Sequence, residues 1–152
     1  MASDGRHHPV HTALRERFNT STIIFLTVCT KDRQPILANQ NAHAALIEAW
    51  RTNPKWLVGR YVVMPDHVHL FCAPATSPPG LLASWVKFWK SEFASHFGQA
   101  GLWQRHFWDT QLRRGESYEQ KWHYVIQNPV RAGLVSAHEE WPFQGELNVL
   151  SW

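Results

Sequence analysis

Residues 56–73 read WLVGRYVVMPDHVHLFCA. Two apolar runs in this stretch, 56–64 and 67–73, are rich in the β-branched and aromatic residues that strands favour. Pro65 and Asp66 lie between the runs and are typical of a tight turn. The stretch therefore predicts a β-hairpin, which supplies two neighbouring antiparallel strands to the sheet of the protein.

His67 and His69 open the second strand of this hairpin. Because side chains alternate along a strand, both imidazoles are expected on one face, while Val68 and Leu70 are expected on the other. Neutral imidazoles are common ligands of divalent cations, so the pair predicts a metal site. The alternative is two partly exposed histidines without a metal, because a His-x-His pair also arises by chance.

Local patterns outside the hairpin predict further elements. A β-branched run indicates a strand, an asparagine-capped alanine-rich segment indicates a helix, and large apolar residues three and four positions apart indicate a longer helix. The predicted elements are strands at 22–30 and 103–113 and helices at 39–51, 81–97 and 116–127. The order β-α-β-β-α-β-α predicts an α+β sandwich of ferredoxin-like type, with helices packed on a mainly antiparallel sheet.

Length and composition indicate a single domain over residues 1–152, because 152 residues with 44% hydrophobic content suit one core. We expect residues 1–19 to form a flexible N-terminal segment and residues 136–152 a C-terminal tail. Cys29 and Cys72 lie in apolar runs and are expected to be reduced core residues. No apolar run has the length of a signal sequence or a bilayer span, which predicts a cytosolic protein with no membrane partner.

Basic and aromatic residues are interleaved in the second half of the chain. The protein carries 15 Lys and Arg against 12 Asp and Glu, a net charge of +3, which modestly favours a polyanionic partner. A mixture of cations and aromatic rings is typical of surfaces that pair phosphates and stack bases, although a solvated basic face is the alternative. The candidate nucleic-acid contacts are Arg105, Arg113, Arg114, Lys121, Arg131, Trp103 and Trp108.

Tyr124 and Asn128 are four positions apart near the end of the last predicted helix, where residues i and i+4 share a face. A tyrosine becomes a useful nucleophile when a nearby metal draws electron density from its target, and an asparagine carbonyl can be a metal ligand. Gln127 is a less well aligned substitute for Asn128. The alternatives are a core aromatic for Tyr124 and an ordinary helix-end residue before Pro129 for Asn128.

The order of several motifs makes the chain similar to a known family. MPDHVHL at 64–70 and NPVRAGLV at 128–135 are the specific strings, accompanied by FLTVCTKDRQP at 25–35, LWQR at 102–105 and FWD at 107–109. With these motifs the chain resembles the REP-associated tyrosine transposases, relatives of the single-tyrosine HUH transposases. HUH denotes histidine, a bulky hydrophobic residue and histidine.

The resemblance implies a function for each candidate. His67 and His69 would hold Mg²⁺ or Mn²⁺ with Asn128 as third ligand, and Tyr124 would attack a phosphate in single-stranded DNA. The products would be a 5′-phosphotyrosine link and a free 3′-hydroxyl. The substrates would be hairpins of repetitive palindromes in bacterial genomes, which implies a cytoplasmic, nucleoid-associated enzyme. One nucleophile per chain implies a homodimer or two sequential events for cutting two strands.

Two rival functions fit the sequence less well. A catalytically silent nucleic-acid-binding module is disfavoured because His67, His69, Tyr124 and Asn128 are all present. A nucleotide hydrolase with three alternating histidines would need a third histidine where Phe71 stands.

The chain departs from the family in its tail. After Trp-Pro-Phe at 141–143 it continues Gln-Gly-Glu, where a serine pair is usual, so the function of the tail is open. A second tyrosine, Tyr118, is six residues before Tyr124 and is expected to point elsewhere.

Overall fold

The predicted hairpin is present in the computed structural model, which describes residues 22–112 and 118–151. Strand β2 (Trp56–Val63) and strand β3 (His67–Pro74) are antiparallel, with Val63 opposite Val68. The backbone N–H of Met64 donates to the carbonyl of His67 across the turn, at 2.8 Å. The first residue of β3 is therefore the first histidine of the pair.

Three more strands complete an antiparallel sheet. Strand β1 (Ile24–Cys29) pairs with β3, strand β4 (Trp108–Gln111) extends the sheet beyond β1, and strand β5 (Gln144–Glu146) extends it beyond β2. The strand order is β4-β1-β3-β2-β5. Helix α1 (Gln40–Thr52) connects β1 to β2, and helix α2 (Leu82–His96) connects β3 to β4. This topology confirms the α+β, ferredoxin-like prediction.

One face of the sheet packs against α1 and α2. The Asn39 side chain caps α1 by accepting from the backbone N–H of Ala42 at 2.8 Å, as the sequence pattern indicates. Alternate residues of the central strands, including Val68 and Leu70, are fully buried on this side. Large aromatic side chains fill the space beneath the helices, namely Trp50, Trp56, Trp85, Trp89 and Phe93.

The opposite face packs against helix α3 (Tyr118–Val125) and the C-terminal segment. The Tyr118 ring contacts Phe71 of β3 at 4.8 Å between centroids, and its hydroxyl accepts from the backbone N–H of Arg60 at 3.1 Å. Gly59 permits this approach, because a Cβ there would lie 2.6 Å from the Tyr118 oxygen. Tyr118 therefore lies in the core, in agreement with the expectation that it points in a different direction from Tyr124.

The segment expected to be a C-terminal tail packs against the sheet as far as the structure describes it. Trp141 is buried and donates from its indole nitrogen to the carbonyl of Val63 at 3.0 Å. Leu150 is also buried in the second core. Strand β5 was not predicted, since three residues containing a glycine give little local strand signal.

The strand predicted at 103–113 is wrong in extent. Strand β4 covers Trp108–Gln111, and Trp103 forms an isolated bridge with Thr30. Trp103 is 8% exposed, packs against Trp89 and Phe93, and donates from its indole nitrogen to the carbonyl of Lys90. The prediction of a surface ring at Trp103 is therefore wrong, because the aromatic pattern there reflects packing beneath α2.

The helix predicted at 116–127 is also different in the structure. Helix α3 ends at Val125, and a short helix α4 (Asn128–Arg131) follows after two turn residues. Pro129 explains the break, because it has no N–H to donate to the carbonyl of Val125 and is well suited to the first turn of a new helix. Tyr124 and Asn128 therefore belong to successive helices.

The two cysteines match the expectation drawn from the sequence. Cys29 and Cys72 are free and buried, as predicted. Within residues 22–112 and 118–151, no helix is both long and apolar enough to cross a bilayer. The segment 1–19 and the residues Arg113 and Arg114 lie outside the described residues.

The contact between Tyr118 and β2 predicts a stability difference between the two tyrosines of α3. Tyr118→Phe is expected to lower the free energy of unfolding by about 1–3 kcal/mol, because the Arg60 N–H loses its acceptor. Tyr124→Phe is expected to change it by less than about 0.5 kcal/mol, because Tyr124 is exposed. Urea unfolding followed by tryptophan fluorescence measures both values, and equal losses would contradict the contact.

Candidate active site

The two histidines of β3 converge on one point. His67 and His69 lie on the face of the sheet that α3 covers, as the alternation of the strand predicts. Their Nε2 atoms are 3.2 Å apart. Phe25 of β1 stacks on the His69 ring at 5.3 Å with an interplanar angle of 21°, so the pair rests on an apolar floor.

The outer nitrogen of each imidazole has a partner. His67 Nδ1 lies 2.7 Å from Asp66 Oδ1, and a carboxylate can only accept, so this nitrogen carries the proton and Nε2 presents a lone pair. His69 Nδ1 lies 2.9 Å from the Thr27 hydroxyl. When that hydroxyl accepts, His69 Nε2 also presents a lone pair. When the hydroxyl donates instead, His69 carries its proton on Nε2 and donates it to His67 Nε2. A cation between the two nitrogens would take the place of that proton.

This arrangement fits a divalent cation. Two nitrogen ligands about 2.1 Å from one ion lie about 3 Å apart when they subtend a right angle. An oriented Nδ1–H of each ligand is typical of metal-binding histidines. Among the described residues, no group of three or more His, Cys, Asp or Glu side chains could hold a metal. The third ligand expected from the sequence, Asn128, is an amide and so is not one of these residue types.

The electrostatics of the pair favour neutral imidazoles. Burial lowers the pKa of His67, and Asp66 opposes that shift without reversing it. Burial lowers the pKa of His69 to about 3, with further lowering from His67 in its protonated form and from the positive charges of Lys121, Arg131 and Arg33. Burial opposes ionisation of Asp66, but hydrogen bonds from His67 and Arg33 outweigh it and lower the pKa of that carboxyl. At neutral pH the site thus holds two neutral ligands and one carboxylate.

Helix α3 lies on the same face as the histidines. Its Tyr118 and Trp122 rings both contact Phe71, which is two residues beyond His69 on β3. Lys121 places its ammonium 4.8 Å from the centroid of Phe25, the ring that stacks on His69. The same ammonium is 5.9 Å from the centroid of Tyr124. A continuous set of contacts therefore connects His69 to the segment that carries Tyr124.

Tyr124 and Asn128 are joined by a single arginine. Tyr124 is 62% exposed, which excludes the alternative of a core aromatic. Arg131 stacks its guanidinium 4.0 Å from the centroid of the Tyr124 ring. Its Nη2 donates to the Tyr124 carbonyl at 2.8 Å and to Asn128 Oδ1. The structure therefore brings Tyr124, Asn128 and Arg131 together as one group.

Of the candidate nucleic-acid contacts, Trp108 has the most informative position. It lies opposite Thr27, which lies opposite His69, so the three residues share one face on adjacent strands. Two strand spacings place Trp108 about 10 Å from His69. Trp108 is 37% exposed, and Arg105, three positions before it in the sequence, is also exposed.

Three residues that support the histidines were not predicted. Asp66 adjoins His67 in sequence, but the turn assignment gave it no chemical role. Thr27 becomes a neighbour of His69 only through the pairing of β1 with β3. Arg33 donates from Nε to Asp66 Oδ2 at 2.9 Å, and both Asp32 and Arg33 have positive φ, 57° and 53°. Such left-handed backbone at non-glycine residues is strained and often found at functional sites.

Comparison with protein families gives a match over most of the chain. The family model described as Transposase IS200 like matches residues 19–129. A protein of Escherichia coli K12 named REP-associated tyrosine transposase is 28% identical over 122 residues, which cover 78% of this chain and 73% of that protein. A Haemophilus influenzae Rd protein provisionally given the same name is 22% identical over 85% of this chain and 82% of its own.

A solved structure is similar in three dimensions. It is described as the REP-associated tyrosine transposase bound to a REP hairpin, and it superposes with a TM-score of 0.71 at 26% identity. The match covers 88% of this chain and 82% of that one.

The depressed pKa of His69 predicts a pH dependence of stability. Because the unfolded chain takes up this proton near pH 6.5 and the folded chain near pH 3, the contribution of His69 is complete above 6.5 and declines below it. Between pH 7.5 and 5.0 in chelator-treated buffer, the wild type should lose up to about 2 kcal/mol more unfolding free energy than His69→Gln. Urea unfolding at both pH values measures this, and an identical loss in the two proteins would refute it.

Proposed function

Because the chain belongs to the IS200-like transposase family, we propose that it is a metal-dependent enzyme that nicks single-stranded DNA at hairpins and transfers the strand. The observation that carries the proposal is the convergence of the two Nε2 atoms on the face that also carries the exposed Tyr124. The hairpin substrate is supported by the similar structure, which holds a REP hairpin.

Tyr124 is the proposed nucleophile. Its phenolic oxygen attacks a backbone phosphorus, a tyrosine O–P bond forms, and the bond from phosphorus to the 3′ oxygen breaks. The phenolic proton passes to solvent, and the departing 3′ oxygen takes up a proton to become a hydroxyl. The resulting 5′-phosphotyrosine conserves the phosphodiester bond, so attack by another 3′-hydroxyl can rejoin strands without ATP.

His67, His69 and Asn128 are the proposed ligands of Mg²⁺ or Mn²⁺. Such a cation would supply charge neutralisation at the phosphate oxygens and so make phosphorus more electrophilic. Asp66 and Thr27 hold the two rings so that both Nε2 atoms face the same point. The Asn128 amide oxygen has two lone pairs, so it can accept from Arg131 and still serve as a ligand.

The proposed DNA surface surrounds this site. Trp108 is placed to stack a base about 10 Å from the histidines, a distance set by two strand spacings. Arg105 and Lys121 add positive charge for phosphates. Arg131, which the sequence also makes a candidate DNA contact, has its guanidinium on Tyr124 and Asn128. Arg113 and Arg114 are proposed contacts on sequence grounds. Trp103 is not part of this proposed surface, because its ring is buried.

The proposed reaction implies a cellular location and a stoichiometry. A single domain acting on chromosomal hairpins would work in the bacterial cytoplasm at the nucleoid. Cutting two strands with one nucleophile per chain would require a homodimer or two sequential reactions. A silent binding module is the alternative function, and its signature would be hairpin binding without any covalent product.

The proposed nucleophile predicts a covalent protein–DNA adduct. Wild type incubated with Mn²⁺ and labelled single-stranded DNA that contains a REP hairpin should give a detergent-resistant band on a denaturing gel. Tyr124→Phe should give none, because the ring remains but the attacking oxygen is gone. Tyr118→Phe is the matched control on the same helix and should still form the adduct. An adduct that persists in Tyr124→Phe would remove this residue from the nucleophile role.

The proposed metal site predicts that cation binding depends on both histidines. His67→Ala and His69→Ala should each weaken Mn²⁺ binding by at least about tenfold, measured by the electron paramagnetic resonance signal of free Mn²⁺. They should abolish cleavage and leave hairpin affinity within about threefold. His96→Ala, at the exposed end of α2, is the control for histidine removal. Unimpaired cleavage by either site variant in chelator-treated buffer would contradict the metal site.

A further inference from the structure

The ladder of backbone hydrogen bonds is interrupted between Tyr124 and Asn128. Pro129 cannot donate to the carbonyl of Val125, and α3 ends there. The Tyr124 carbonyl accepts from the Gln127 N–H at 3.3 Å, which is at the long end of hydrogen-bond distances. Backbone bonds from Ile126 N–H to the Trp122 carbonyl at 2.8 Å and from Arg131 N–H to the Gln127 carbonyl at 2.9 Å hold the two sides of the break. Across the break, the long Gln127 bond fixes Tyr124 relative to the candidate ligand Asn128 less tightly than a continuous helix would.

Arg131 spans this break. We propose that Arg131 is a positioning residue that holds Tyr124 and Asn128 in one arrangement by binding both across the break between α3 and α4. The inference rests on the proposed function for its catalytic consequence. One Nη2 nitrogen donates to the Tyr124 carbonyl and to Asn128 Oδ1, and the guanidinium covers the Tyr124 ring at 4.0 Å.

Arginine has the geometry that this position requires. Its guanidinium is planar, so it can donate in its own plane while one flat side rests on an aromatic ring. Lysine carries the same charge as a point on a flexible stem and cannot make this set of contacts simultaneously. The contacts thus depend on the shape of the guanidinium as well as on its charge.

Exposure explains why such a residue is needed. The Tyr124 ring is 62% exposed, so few neighbours restrict its rotamers. A reacting group that is free to rotate spends little time in line with its target, and misplacement by about 1 Å can cost about a hundredfold in rate. By covering one side of the ring, Arg131 restricts the directions in which the phenol can point.

A direct DNA contact is the competing role for Arg131. The two roles differ in the kinetic constant they affect. A phosphate contact contributes to affinity and its loss is overcome by saturating DNA. A positioning residue acts on the chemical step, so its loss persists when every enzyme molecule has DNA bound.

The test measures adduct formation in single turnovers with Mn²⁺ and saturating REP-hairpin DNA, alongside the Kd of the same DNA. For Arg131→Lys and Arg131→Gln we expect the rate at saturation to fall about 10- to 100-fold while Kd changes by less than about threefold. Arg51→Gln, which removes the same charge from α1 on the opposite face, should match wild type. Full activity in Arg131→Lys, or a loss of affinity with an unchanged rate at saturation, would overturn the inference.

A measurement without DNA separates this inference from the proposed function. Nuclear magnetic resonance of the free protein should show that Arg131→Lys changes the chemical shifts of the Tyr124 ring and the Asn128 side-chain amide relative to wild type. The chemical shifts of the Tyr118 ring should stay the same. Unshifted Tyr124 and Asn128 signals would overturn the positioning role whether or not the enzyme cleaves. If the signals differ between Arg131→Lys and wild type, but wild type forms no adduct with DNA, the contact is supported and the proposed reaction is refuted.

Discussion

The structure depends on the register in which β3 pairs with β1. In this register Thr27 lies opposite His69 and Cys29 lies opposite His67. A slip of one residue would turn every side chain of β3 to the other face, so that the imidazoles would enter the tryptophan-rich core and Val68 and Leu70 would face α3. Burying two imidazoles without partners costs free energy, as does moving two large apolar side chains out of the tryptophan-rich core. The same packing that stabilises the sheet therefore keeps the histidines together.

Partial burial gives the histidine pair its chemical character. The apolar floor of Phe25 and the nearby cations disfavour protonation, so both rings remain neutral at the pH of a cell. Asp66 supplies the compensating negative charge and fixes the proton of His67 on Nδ1. Arg33, held by strained backbone, keeps Asp66 in place. Charge, burial and backbone strain thus together determine the protonation and orientation of the two imidazoles.

The C-terminal half of the site shows how a proline changes a sequence pattern. The spacing of Tyr124 and Asn128 predicts that both lie on one face of a single helix. Because of Pro129, the helix is broken after Val125, and the two residues belong to different helices. The two residues remain associated because Arg131 of the second helix reaches back to the first. The i, i+4 rule therefore predicts correctly that the two residues are close. It does not predict that Arg131 is the residue that connects them.

Sequence predicted the features that depend on local periodicity. The hairpin, both long helices, the asparagine cap, the fold class and the shared face of His67 and His69 follow from repeats of two or 3.6 residues and from turn residues. Family motifs added expectations for Tyr124 and Asn128. The sequence could not separate the buried Trp103 from the exposed Trp108, because both lie in similar aromatic and polar surroundings along the chain.

Tertiary structure decided the rest, because contacts between distant residues leave little local signal. Thr27 meets His69 across 42 positions, Trp141 meets Val63 across 78, and Arg60 meets Tyr118 across 58. Each depends on the register of a strand pair or on the docking of a segment against the sheet. The sequence by itself determined which side chains are available for chemistry. The pairing of β1 with β3 and the packing of α3 and α4 decided which of them share a site.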